Sequence, residues 1–167
     1  MSMYSLRYAT TDDAAGMARV NVESWRATYQ GIVHEEFLQN LSVEQRTEFW
    51  KKVIGQLHPQ KTQIVAVDAN NTVVGYAAGG VSREAGLDCE LYALYLLPSW
   101  QGCGIGKKLV EQVFSFCKTQ NMQTLYVWVL KDNPSRMFYE VMGGTYKASK
   151  LVPIGNQHLE VWLYVWE

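Results

Sequence analysis

The stretch Gln101-Gly102-Cys103-Gly104-Ile105-Gly106 follows the apolar run Leu91 to Leu97 and opens an amphipathic segment, so the chain reads strand, glycine-rich turn, helix N-terminus. Glycines 102, 104 and 106 lack the Cβ atoms that would hold an anion away from the main chain. The first turn of the helix leaves N–H groups without partners and carries partial positive charge, so the arrangement suits a phosphate group. Two common phosphate loops fail on spacing. A Walker A loop needs Gly at 101 and Ser or Thr at 108, where this chain has Gln101 and Lys108. A dinucleotide G-x-G-x-x-G needs Gly at 107 or 109, which are Lys107 and Leu109.

The rest of the chain organises around that turn. Leu6 to Ala9 reads as a short strand, after which Thr10 or Thr11 caps a helix that carries Asp12 and Asp13 in its first turn and runs to about Tyr29. A short helix over Glu35 to Gln39 precedes one from Ser42 to about Leu57, with Ser42 and Gln45 reading as a capping box. Gln63 to Asp68 and Thr72 to Val81 form a hairpin about Ala69-Asn70-Asn71. Cys89 to Leu97 is apolar enough in its second half to predict a central strand covered on both faces. Lys107 to Gln120 has helical periodicity, and Leu125 to Leu130 is the next strand. Asn133 caps a helix with Pro134 at its first position and Gly143 past its end. Thr145 to Leu151 and His158 to Trp166 close the chain around Gly155-Asn156.

What stands at the loop is Gln-x-x-Gly-x-Gly, and here the chain resembles the GCN5-related N-acetyltransferase (GNAT) family. Arg7, Asp12, Asp13, Trp25, Tyr29 and Gly31, the segment Asn133-Pro134 with Phe138-Tyr139-Glu140, and Gly143-Gly144 resemble the same family in the same order. The resemblance covers nearly the whole chain. It implies an α/β fold with a mixed, mostly antiparallel central sheet of about seven strands and helices on both faces. It also implies an N-acyltransferase that moves an acetyl group from acetyl-CoA to a primary amine by direct transfer in a ternary complex. By the same resemblance Gln101, Gly102, Cys103, Gly104, Ile105, Gly106 and Lys107 hold the cofactor's pyrophosphate. The main chain of Leu94, Tyr95 and Leu96 pairs with the pantetheine arm, the Leu96 N–H points at the thioester oxygen, and Asn133 lies against the same arm.

Acetyl transfer to an amine needs a neutral nitrogen, a place for the developing oxyanion and a proton for the departing thiolate. Glu90 is the candidate base, at the family's separation from the loop, since a carboxylate at the start of a buried strand can have its pKa raised. A structural carboxylate is the equal alternative, with Asp88 or water then taking the proton. The resemblance places the Tyr139 hydroxyl near the sulfur as proton donor. Trp25 and Tyr29, at i and i+4 on the first helix, read as packing residues, although the family lines its acceptor site with that helix. The alternative to an enzyme is a non-catalytic acyl-CoA-binding or regulatory module that keeps the loop.

Composition sets the remaining bounds. The 167 residues, 48% hydrophobic, fit a single domain over 1–167. A net charge of −1 argues against a nucleic-acid partner and leaves a small-molecule or peptide amine as acceptor. No apolar stretch of signal-peptide or membrane-spanning length is present, which reads as cytoplasmic with no membrane partner. Cys89, Cys103 and Cys117 show neither a disulfide framework nor zinc spacing, and His34, His58 and His158 are scattered, so no metal is expected. Cys103 reads as a small side chain fitting a tight turn. The strand holding Trp162, Tyr164 and Trp166 is apolar on both faces, which fits a core position or a homodimer interface.

Overall fold

A computed structural model describes residues 3–167; Met1 and Ser2, where the amino-terminal reading begins, lie outside the described residues. The strands are β1 (Tyr4–Tyr8), β2 (Lys61–Asp68), β3 (Val73–Val81), β4 (Cys89–Leu96), β5 (Leu125–Leu130), β6 (Thr145–Ile154) and β7 (Gln157–Trp166). The helices are α1 (Ala14–Thr28), α2 (Glu35–Gln39), α3 (Val43–Gly55), α4 (Ile105–Thr119) and α5 (Arg136–Val141). All seven strands form one sheet in the order β1-β2-β3-β4-β5-β7-β6, antiparallel except for the β4–β5 pair. The α/β fold with a mostly antiparallel sheet is therefore the one expected.

Local chemistry explains most element ends. Asp13 Oδ2 accepts the Thr10 N–H at 2.7 Å and the Thr10 hydroxyl at 3.3 Å, while Arg7 grips the same carboxylate. Ser42 Oγ accepts the Gln45 N–H at 3.1 Å and caps α3, but no reciprocal Gln45 bond completes the expected box. The β2–β3 turn closes with Asn71 at φ 63°, in the left-handed region that Asn tolerates. Asn133 does not cap α5 directly. Its Oδ1 accepts the Ser135 N–H at 2.8 Å, making a turn that leads into a helix starting at Arg136, two residues later than expected.

Helices cover both faces. α4 lays Ile105, Leu109, Val110, Val113 and Cys117 on one side of the sheet, all fully buried. On the other side α1 and α3 bring Met17, Val20, Trp50 and Ile54 against Val65, Val67 and Tyr76. The α4 contact is close enough to require glycine: a Cβ at Gly79 would lie 2.5 Å from Val113 Cγ1 and 2.8 Å from the Glu90 carbonyl oxygen. Cys89 of β4 and Cys117 of α4, Cα atoms 6.2 Å apart, are joined as a disulfide, which corrects the expectation that the cysteines are unpaired. Their 28-residue separation carries no local signal, because packing of α4 on β4 brings them together.

Among the described residues no helix is long and apolar enough to cross a membrane. No group of three or more His, Cys, Asp or Glu among them could hold a metal ion.

Candidate active site

β4 is where the sheet opens. It pairs with β3 along its length, but with β5 only at Cys89↔Leu125 and Glu90↔Tyr126. β5 continues instead against β7. Gly79 faces Leu91 and Ala78 faces Ala93, so Tyr92 is the extra residue of a β-bulge that bends β4 where the two strands part. The expected burial of this strand on both faces therefore holds only at its start. Cys89, Glu90 and Leu91 are buried, and Tyr92 to Leu96 are half-buried because they border the opening.

The splay exposes a strand edge. Leu97 N–H donates to the Val74 carbonyl at 2.9 Å, so by strand alternation the N–H and C=O of Leu96 and Leu94 point the other way, into the gap before β5. The Leu96 carbonyl accepts from Gln101 Nε2 at 3.1 Å, which fastens the loop to the strand. Beyond it, Gly102 and Gly104 take φ of 81° and 84°, and a Cβ on either would meet no protein atom within 4 Å. The glycines are thus required by backbone conformation and leave open space at the N-terminus of the 15-residue α4.

Strand edge and loop border one cleft of about 710 Å³ between β4 and β5. Gln101, Gly102, Gly104, Gly106 and Lys107 line one part of it, Leu94, Tyr95 and Leu96 the strand edge, and Asn133 and Tyr139 the β5–α5 side. Trp25 and Tyr29 of α1 also line it. Two predicted loop residues do not. Ile105 is fully buried in the α4 core, where it anchors the helix start, and Cys103 is exposed with its Sγ 3.1 Å from the Trp100 carbonyl.

Within the cleft the predicted residues meet in pairs. Trp25 Nε1 donates to the Tyr95 hydroxyl at 2.9 Å, and Asn133 Nδ2 donates to the Tyr29 hydroxyl at 3.0 Å. Asn133 is thereby satisfied at both ends of its amide. Tyr139 is buried, and burial together with the nearby Tyr95 and Tyr29 hydroxyls raises its phenol well above its ordinary 10.0. Its proton stays on at neutral pH.

Glu90 stands apart from this group. Its side chain is not among those lining the cleft. Arg83 Nε and Nη2 donate to its two oxygens at 2.9 and 2.5 Å, and the Tyr126 hydroxyl donates at 2.8 Å. Burial alone would raise the carboxyl, but the Arg83 and Tyr126 hydrogen bonds outweigh it, so the group sits below its ordinary 4.5. The expectation of a raised pKa is corrected. Asp88, the other carboxylate considered, accepts the Gln123 and Thr124 N–H groups at 3.0 and 3.2 Å and also lies outside the cleft lining.

Sequence reasoning missed Arg83 and Tyr126. Tyr126 reaches Glu90 through a parallel pairing 36 residues away, for which the sequence holds no local signal. The polar run Ser82-Arg83-Glu84 facing the start of β4 was the available hint for Arg83.

A model of the acetyltransferase (GNAT) family matches residues 22–143. The uncharacterized N-acetyltransferase YuaI of Bacillus subtilis is 34% identical over 140 residues, 83% of this chain and 78% of that one. The ribosomal protein bS18-alanine N-acetyltransferase of Haemophilus influenzae is 32% identical over 74 residues, 44% of this chain and 49% of that protein. Among solved structures, the PaiA N-acetyltransferase of Thermoplasma acidophilum in complex with coenzyme A superposes with a TM-score of 0.73 at 23% identity, covering 97% of this chain and 98% of that one. With the family match running from mid-α1 to just past α5, the chain belongs to the GNAT acetyltransferase family and is an N-acetyltransferase.

Proposed function

We propose that the cleft binds acetyl-CoA along the open edge of β4 and passes the acetyl group directly to a primary amine held at the same time. The observation that carries this reading is the unpaired β4 edge running into a loop whose glycines leave space at a helix N-terminus. Its chemistry suits a pantetheine amide chain ending in a pyrophosphate. The coenzyme A in the PaiA structure supports the assignment.

Acetyl-CoA supplies the activated acyl group; the residues supply placement and protons. Main-chain N–H groups of Gly102 to Lys107 hold the phosphates, with Lys107 adding charge at the rim. Leu94 offers its N–H and C=O to the pantetheine arm as a neighbouring strand would, while the Leu96 carbonyl is held by Gln101. The Leu96 N–H is the donor for negative charge developing on the thioester oxygen. Tyr139, kept protonated by burial, donates to the departing sulfur. Because so weak an acid gives up its proton only if it is replaced, the proton that the amine loses to water is returned to Tyr139. Glu90, already held by Arg83 and Tyr126, braces the β3–β4 and β5 strand ends, and water takes the amine's proton.

The test is release of free thiol when the protein is mixed with acetyl-CoA and primary amines, alongside calorimetry of coenzyme A binding. Failure to bind coenzyme A overturns the proposal.

A further inference from the structure

We infer that the acceptor is a small primary amine on an apolar or aromatic body, an inference that rests on the acetyl-transfer reading of the cleft. Where the cleft passes under α1, its walls are Trp25, Tyr29, Ile154 and Val161. The same four side chains belong to one apolar cluster with Val33, Leu38 and Leu130. The rings of Trp25 and Tyr29, centroids 4.5 Å apart and planes tilted by 55°, make this wall aromatic.

The charges point the same way. Among the described residues no aspartate or glutamate lines the cleft, and the one charged side chain that does is Lys107 at the loop. Three acids of the surrounding strands and loops are already engaged. Glu84 accepts from Trp128 Nε1 at 3.1 Å and from Lys150 Nζ at 2.9 Å, Glu160 accepts from Trp162 Nε1 at 2.6 Å, and Glu90 is held by Arg83. A polyamine would have to bury further ammonium groups without a carboxylate to meet them. An apolar pocket also lowers the pKa of a single buried amine, which favours the neutral nucleophile without a dedicated base.

Size follows from the cleft and its neighbours. The β6–β7 turn lies against α2: a Cβ on Gly155 would sit 3.1 Å from the Phe37 ring, and His34 N–H donates to Gln157 Oε1 at 2.8 Å. These contacts lie beside a cleft of about 710 Å³, which has to seat the pantetheine arm as well and so leaves room for a small amine. In the reaction the nitrogen–carbonyl bond forms as the carbon–sulfur bond breaks, and the proton the amine loses balances the one the sulfur gains.

The test compares thiol release with 2-phenylethylamine, spermidine and an alanine-terminated peptide at saturating acetyl-CoA. Expected is a kcat/KM for 2-phenylethylamine at least about tenfold above either other amine. A higher value for spermidine or the peptide overturns the inference, as does acetyl-CoA binding with no transfer to any of the three. Absent acetyl-CoA binding, by contrast, the underlying transfer reading falls. Ile154→Glu then supplies the missing carboxylate: the ratio of 2-phenylethylamine to spermidine turnover should drop by about tenfold or more. Equal losses with both amines would mark Ile154 as merely structural and refute the pocket assignment.

Discussion

Replacing Glu90 with glutamine separates a proton acceptor from a brace, because the two roles leave different traces on stability and on rate. The substitution keeps volume and one acceptor oxygen, but turns an NH₂ toward Arg83 Nη2, now 2.5 Å from a carboxylate oxygen. One charge-assisted hydrogen bond is lost, worth about 1.5–3 kcal/mol. The lower half of that range is expected, since the Arg83 side chain is 67% exposed and water can solvate the stranded cation, whereas Glu90 is 4% exposed. For a chain of this size about 2 kcal/mol lowers Tm by about 4–8 °C. The sign with pH follows from the lowered pKa. The stabilisation is full above the unfolded value near 4.5 and is lost as pH falls through the folded value, so wild type and variant converge in acid. Urea titrations at pH 7 and pH 4 measure this directly, and a pH–rate profile of thiol release at saturating amine measures catalysis. A brace gives reduced stability at pH 7 with an unshifted profile. Unchanged stability, combined with a large rate loss at neutral pH that recovers as pH rises, would refute the argument and restore Glu90 as the base.

Tyr139→Phe should lower kcat and kcat/KM together, by less than about 100-fold, with coenzyme A affinity by calorimetry nearly unchanged. Gly106→Asp has room for its Cβ, whose nearest neighbour is the Phe138 ring at 3.6 Å, and puts negative charge where the phosphates belong. Coenzyme A should bind at least about tenfold more weakly while circular dichroism stays the same. Lys107→Ala should cost less than that in the same titration, because this exposed lysine adds charge to a site whose geometry is main chain. Gly79→Ala should lower unfolding free energy by about 1–3 kcal/mol in urea, since the added methyl meets both Val113 and a backbone carbonyl that cannot rotate away.

The features legible in the sequence are those encoded by neighbours in the chain. Ser42, the Asn71 turn, the glycine loop and the α4 stripe each announce themselves within a few residues, and each stands where expected. What could not be read depends on partners far along the chain. The bulge at Tyr92 needs the β3 register, and the clamp on Glu90 needs Tyr126. Asn133 meets Tyr29 across 104 residues and Trp25 meets Tyr95 across 70. Asn133 illustrates the limit well. Its local signal marks a turn into a helix, yet it is not the cap: the same amide also reaches Tyr29, and the turn it makes delays the helix by two residues.

The two-residue seam between β4 and β5 also bears on how the molecule holds together. It divides the sheet into a β1–β4 panel and a β5–β7–β6 panel that share one short stretch of ladder. A ligand lying along β4 would act as a missing strand, suturing the panels and raising the free energy needed to part them. Amide hydrogens of Leu94 and Leu96 should then exchange with deuterium faster than those of Leu97 or the β2–β3 ladder in the free protein, and slow selectively when coenzyme A is added. Thermal resistance and donor occupancy would rise and fall together. The protein's durability would therefore track the supply of its own acyl donor.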